Sequence, residues 1–205
     1  IMAYTTIDKP SDYFETKLWS GNATDDRAIS GLDFAPNWVW IKNRTDSNSH
    51  AIFDTVRGAT KYIESDTTDA WNWLAGGSAS SNTDGSITSS VSANTTSGFS
   101  IVSYTGNGTL GATVGHGLGS APSMVLVKRR NTTGNWWSYH SGLGGADKYI
   151  VLNSTSAVGT STNIWNNTAP TSNVFSLADN ANFPEVNGTS NTFIAYCFAE
   201  KKGYS

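Results

Sequence analysis

The chain reads as an all-β protein: an antiparallel β-sandwich, jelly-roll-like, built from two related repeats of which the first is truncated. Three features predict this. Short runs of β-branched and aromatic residues recur between clusters of Gly, Asn, Ser and Thr, as in Phe99-Ser100-Ile101-Val102-Ser103-Tyr104 followed by Thr105-Gly106-Asn107-Gly108. No amphipathic stretch of helical period reaches about ten residues. A block of sequence also returns 86 positions further on.

That repeat sets the order of the elements. Phe34-Ala35-Pro36-Asn37-Trp38-Val39-Trp40-Ile41-Lys42-Asn43-Arg44 aligns with Ser120-Ala121-Pro122-Ser123-Met124-Val125-Leu126-Val127-Lys128-Arg129-Arg130. The shared form is Ala-Pro, a spacer, four apolar residues, Lys, a polar residue and Arg. Upstream, Leu18-Trp19-Ser20-Gly21-Asn22 matches Ser103-Tyr104-Thr105-Gly106-Asn107 at an offset of 85, and Ile29-Ser30-Gly31-Leu32 matches Gly115-His116-Gly117-Leu118 at 86. Downstream, Ala59-Thr60-Lys61-Tyr62-Ile63 matches Ala146-Asp147-Lys148-Tyr149-Ile150 at 87. Single-residue drift of this kind is what loop insertions produce.

The closing strand of the first copy, Ala70-Trp71-Asn72-Trp73, resembles Ala195-Tyr196-Cys197-Phe198 at an offset of 125, so the first copy is shorter by about 38 residues. A truncated sandwich exposes apolar edges unless something covers them. The first copy is therefore expected to pack against the second or against another subunit. The division this predicts is a shortened N-terminal β repeat over 1–77, a Gly/Ser/Thr/Asn-rich linker over 78–97 and a complete β-sandwich repeat over 98–205. Within the linker, Ile87-Thr88-Ser89-Ser90-Val91-Ser92-Ala93 has the composition of a short edge strand. Trp38-Val39-Trp40-Ile41, Met124-Val125-Leu126-Val127 and Phe193-Ile194-Ala195-Tyr196-Cys197-Phe198 are apolar at successive positions, which predicts strands buried on both faces.

Composition narrows the function classes. Charged residues make up 14% of the chain, against about 25% in an average globular protein. Net charge is −3, and the only basic cluster is Lys128-Arg129-Arg130 at the end of an apolar run. A nucleic-acid partner is not expected, because phosphate contacts demand a basic stripe. No run of about 18 apolar residues is present, so no membrane-inserted helix is expected. Ile1-Met2-Ala3-Tyr4-Thr5-Thr6 lacks the basic and apolar regions of a signal peptide, which predicts assembly in a cytoplasm. The single cysteine, Cys197, excludes an intrachain disulfide and reads as a small core hydrophobe.

Catalysis needs convergent titratable groups, and the sequence offers few. Of the three histidines, His116 lies in a Gly-His-Gly turn. His140 occupies the position that Asp54 holds in the first copy, an exchange a catalytic group would not tolerate. No Gly-x-Ser-x-Gly elbow, paired cysteines, His-Glu-x-x-His or EF-hand loop is present, so no enzyme, metal or cofactor is expected. Asp66-Thr67-Thr68-Asp69 reads as a capped turn, with calcium ligation as the alternative. The Asn-x-Ser/Thr sequons, including those at Asn107 and Asn187, follow from an Asn/Thr/Ser-rich composition. The best candidate contact surface is Trp136, Trp137 and Tyr139. Adjacent Trp136 and Trp137 point to opposite sheet faces. One can pack in a core while the other stacks on a glycan ring or a partner; packing of all three is the competing reading.

Several of these motifs together resemble a family of virion structural proteins of tailed bacteriophages, many of them marine or metagenomic. The resemblance is carried by Ser11-Asp12-Tyr13-Phe14-Glu15-Thr16-Lys17-Leu18, Asn37-Trp38-Val39-Trp40-Ile41-Lys42-Asn43-Arg44, and Phe53-Asp54-Thr55-Val56-Arg57-Gly58-Ala59-Thr60-Lys61. It continues through residues 98–108 and Phe193-Ile194-Ala195-Tyr196-Cys197-Phe198-Ala199-Glu200. It implies a non-catalytic virion component: a tail fibre or tail-associated protein presenting a receptor-binding surface, with a capsid decoration or cement protein as the alternative. A carbohydrate-binding module or glycan-processing enzyme stands as a further alternative. The expected partners are further copies of the chain, as in a trimer, other virion proteins and a host surface glycan.

Overall fold

The computed structural model describes residues 9–23, 28–45, 50–56, 62–65, 72–73, 75–179 and 181–202. Five short strands come first: β1 (Phe14–Glu15), β2 (Trp38–Ile41), β3 (His50–Asp54), β4 (Tyr62–Ser65) and β5 (Asn72–Trp73). They form one antiparallel sheet in the order β1-β5-β2-β3-β4. The remaining chain supplies β6 (Ser80–Asn82), β7 (Ser89–Asn94), β8 (Phe99–Thr105), β9 (Thr113–Gly115), β10 (Pro122–Arg129), β11 (Trp136–His140), β12 (Lys148–Val151), β13 (Gly159–Thr160), β14 (Val174–Ser176) and β15 (Thr192–Ala199). Eight of these make a second sheet, ordered β13-β12-β11-β10-β15-β8-β7-β6, while β9 and β14 pair as a separate ribbon. The only α-helix among the described residues is the single turn α1 (Pro184–Asn187). The protein is thus all-β, with antiparallel sheets of five and eight strands in place of the two four-stranded sheets of a jelly roll.

The five-strand order of the first sheet recurs inside the second as β8-β15-β10-β11-β12. The registers recur too. Applying the sequence offsets, Trp38↔Asp54 becomes Met124↔His140, and Trp38↔Trp73 becomes Met124↔Phe198. Likewise Phe14↔Trp73 becomes Phe99↔Phe198, and Ile52↔Ile63 becomes Ser138↔Ile150. A one-residue slip would turn every side chain to the other face, so agreement at four ladders means that equivalent residues also share equivalent faces.

The central strand β15 shows how the layers are built. Phe193, Ala195, Cys197 and Ala199 point to one side of the large sheet. There they meet a cap that includes Ala112, Val114, Leu118, Ile164, Trp165, Phe175, Leu177 and Val186. Ile194 and Tyr196 point to the other side and pack, with Phe99, Ile101 and Trp136, against Trp38 and Ile52 of the first sheet. The large sheet is therefore the middle layer and is covered on both faces. Trp38 and Ile52 lie at the positions equivalent to Met124 and Ser138, so the two sheets face each other through equivalent surfaces.

Within the stretch 78–97, expected as a linker carrying a short edge strand at 87–93, β7 forms near the edge of the large sheet as that strand, and β6 adds a further one outside it. Its Ser-rich composition hides a period of two: Ser89, Val91 and Ala93 face inward, with Val91 in the core beside Ile87. Ser89 Oγ donates to the Gly115 carbonyl at 3.0 Å, and Ser92 Oγ, buried on the other face, donates to the Gly77 carbonyl at 2.7 Å, so both buried hydroxyls of β7 are paired.

Candidate functional site

Trp136, Trp137 and Tyr139 all lie on β11, and all are buried, at 4%, 8% and 6% relative exposure. The two tryptophans do take opposite faces. Trp136 stacks on Tyr196 between the sheets, with ring centroids 6.1 Å apart. Trp137 meets Phe183 edge-on at 4.6 Å, and Tyr139 meets Trp165 edge-on at 6.3 Å under the cap. Burial also pushes the Tyr139 hydroxyl pKa up. The three therefore pack inside the fold, the competing reading of these residues. Alternation correctly separated their faces; that both faces of this sheet are covered is a tertiary fact.

The titratable groups are equally committed to packing. Cys197 is fully buried, and burial pushes its thiol up to about 12, too high for a nucleophile at neutral pH. His140 is exposed, and its Nδ1 accepts the Gly142 N–H at 3.0 Å, capping a short 3-10 turn. Lys128 is half-buried, and desolvation, reinforced by neighbouring Arg129, lowers its pKa. Among the described residues no group of three or more His, Cys, Asp and Glu could hold a metal ion, and no helix is long and apolar enough to cross a membrane. The candidate calcium turn at 66–69 lies outside the described residues.

His116 is fully buried in its turn, where Gly117 takes a φ of +69° that a side chain would strain. The Leu118 N–H donates to Nδ1 at 3.2 Å, which leaves Nε2 to carry the proton toward the Thr171 carbonyl at 3.1 Å. Burial lowers its pKa from the ordinary 6.5, so the fold selects the neutral ring. Its contribution to stability is present in full above pH 6.5. It is lost progressively as the pH falls from there toward the folded-state value, because the unfolded chain takes up the proton first. Urea midpoints are expected to fall between pH 7.5 and 5.5, and His116→Gln is expected to flatten that part of the dependence.

Concavities lie elsewhere among the described residues. A cavity of about 50 Å³ sits at the seam between the sheets, lined by Trp38, Trp40, Trp136, Tyr196 and aliphatic neighbours, with Leu152 at its rim 48% exposed. Close to this seam the Tyr196 hydroxyl donates to Asp54 Oδ2 at 2.9 Å, a buried bond joining the two layers. The larger concavity is a groove of about 760 Å³ lined by residues 16–21 and 41–45 of the first sheet's half. It carries Leu18 and Trp19, which are 77% and 40% exposed, together with Lys17, Lys42 and Arg44. Trp19 is the repeat equivalent of Tyr104, which is buried, stacks on Phe193 at 5.1 Å and donates to the Val186 carbonyl at 2.8 Å. Nothing in the local sequence marks this groove; the difference in length between the two copies is the one signal that bears on it.

Fold and sites define a layered all-β protein whose first sheet stacks on a longer sheet of the same strand order. The chain belongs to the family described as a domain of unknown function (DUF7483), whose model matches residues 9–70 and 69–205. No curated protein and no solved structure is detectably similar to it.

Proposed function

We propose that the chain is a non-catalytic structural component of a tailed-phage particle, a tail fibre or tail-associated protein, that works in contact with further copies of itself and with other virion proteins. The observation that carries this reading is the stacking of two sheets of common strand order and register through equivalent faces. A chain that already uses its own module as packing partner has the geometry of a building block. The sequence resemblance to virion proteins points the same way. Burial of Cys197 and His116 and the capping role of His140 leave these groups occupied with structure. Exposed Leu18 and Trp19 supply an apolar patch for assembly contacts. Any receptor-binding surface must lie away from β11, whose aromatic side chains are in the core.

Quantitative mass spectrometry of purified particles of the encoding phage tests the proposal. The expected result is a few to tens of copies per particle. Hundreds of copies would move the protein to the capsid, and absence from particles would overturn the virion role.

A further inference from the structure

Asparagine is followed by glycine at two places in the chain, Asn107-Gly108 and Asn187-Gly188. At such a pair the backbone nitrogen of the glycine attacks the asparagine side chain readily, because no Cβ stands beside it. The two pairs lie 80 residues apart in sequence, yet they meet in one corner of the cap. The Gly108 N–H donates to the Asn187 carbonyl at 3.0 Å, and the Asn107 N–H donates to Asn187 Oδ1 at 3.1 Å. The Gly188 N–H donates to the Pro184 carbonyl at 2.9 Å and closes the turn of α1. Both attacking nitrogens are therefore held by carbonyls. The side chains they would attack are held as well. Asn107 Oδ1 accepts the Thr109 N–H at 2.9 Å, and Asn187 Nδ2 donates to the Ala178 and Thr109 carbonyls. Asn187 is fully buried, whereas Asn107 is exposed.

We propose that this corner is a deamidation site that the fold keeps closed: Asn107 and Asn187 lose ammonia only when the cap opens, and the loss at Asn187 keeps the cap from closing again. The proposal does not depend on the virion assignment. The reaction needs water and no other reagent. The glycine nitrogen bonds to Cγ of the preceding asparagine, the bond from Cγ to Nδ2 breaks, and ammonia leaves with the proton that the glycine nitrogen gave up. Water then opens the resulting succinimide at either carbonyl, giving aspartate or isoaspartate. In the closed corner neither glycine nitrogen can give up its proton without losing a main-chain hydrogen bond. The two products differ in consequence. Aspartate at 107 still offers an acceptor to the Thr109 N–H. Aspartate at 187 has no donor for the Ala178 and Thr109 carbonyls, and its charge is costly to bury among them. The buried asparagine is thus the lock, and its conversion is the irreversible step.

The test incubates the full chain at mildly alkaline pH, native and unfolded in guanidinium chloride, and follows conversion at each asparagine by peptide mass spectrometry. Both sites are expected to convert about tenfold or more slowly in the native chain, since opening has to precede attack. In Asn187→Ala, conversion of Asn107 is expected to rise about tenfold or more, because the amide that holds the corner is gone. Native chain converted at 187, separated by ion exchange, is expected to exchange the Gly111 and Leu177 amides faster than chain converted at 107 alone. Should the variant unfold as a whole, graded urea opens the cap of the unmodified chain, and conversion of Asn107 is expected to rise in parallel with hydrogen exchange at the Gly108 amide. Any of three results would overturn the proposal. The first is native conversion as fast as in the unfolded chain. The second is an Asn107 rate that stays put while exchange at Gly108 accelerates, in the variant or in urea. The third is a chain converted at 187 whose cap amides exchange no faster than before.

Discussion

Replacing Tyr196 by alanine is expected to destabilise the protein by about 3–5 kcal/mol, as deletion of a fully buried aromatic ring generally does. Its ring is 0% exposed and packs on Trp38 at 5.5 Å, Trp136 at 6.1 Å and Phe99 at 6.5 Å. These three rings come from both sheets, so the loss falls on the seam that joins them. Tyr196 also donates to the buried Asp54, a bond worth about 1.5–3 kcal/mol when its acceptor is charged. Tyr196→Phe separates the two contributions: it keeps the ring and is expected to cost less than alanine. Equal costs would mean that the hydrogen bond, and not ring packing, holds the seam. Against a typical total of about 5–15 kcal/mol, the alanine variant is expected to be only marginally folded. Urea unfolding of the three proteins, followed by tryptophan fluorescence, measures this.

Asn187→Ala is expected to cost about 3 kcal/mol through a different mechanism. Asn187 is 0% exposed at the end of α1. Its Oδ1 accepts the Asn107 N–H at 3.1 Å, and its Nδ2 donates to the Ala178 carbonyl at 2.7 Å and the Thr109 carbonyl at 3.0 Å. One amide therefore ties α1 to two loop segments of the cap. Its removal strands a donor and two acceptors at about 1 kcal/mol each. The close approach of this corner to the sheet is visible at Gly106, where an added Cβ would lie 2.5 Å from the Gly188 carbonyl oxygen. Cap amides near Leu177 and Gly111 are expected to exchange faster in the variant, whereas those of β15 change less. Uniform acceleration across the chain would show that cap and sheet open as one unit.

The strands were legible because their signal is local. The apolar run at 193–198 and the alternation at 99–104 place β15 and β8, and the repeat offsets carry the pairing order from one sheet to the other. The cap was legible only in part: Ile164-Trp165 and Val174-Phe175-Ser176-Leu177 are short apolar runs and Val186 stands alone, but nothing local says that they cover one face of the large sheet. Composition misled in part. Within serine-rich 78–97 the edge strand at 87–93 was legible but β6 was not, and Asn187 looked like an idle sequon although its side chain bonds Asn107, Thr109 and Ala178. Of the two readings of Trp136, Trp137 and Tyr139, packing is the one their burial fits. Sheet periodicity gives the side on which a residue lies, but what lies opposite is decided by chain segments far away in sequence.

The first sheet packs on the large one through Trp38 and Tyr196, and a double-mutant cycle on that pair measures the contact. Trp38→Leu, Tyr196→Leu and the double variant, each unfolded in urea, give the coupling energy between two residues that lie far apart in sequence. Packing at 5.5 Å predicts a coupling of about 0.5–1.5 kcal/mol, the range of aromatic pairs in contact. Costs that add to within about 0.3 kcal/mol, as they do for independent sites, would contradict the stacked arrangement.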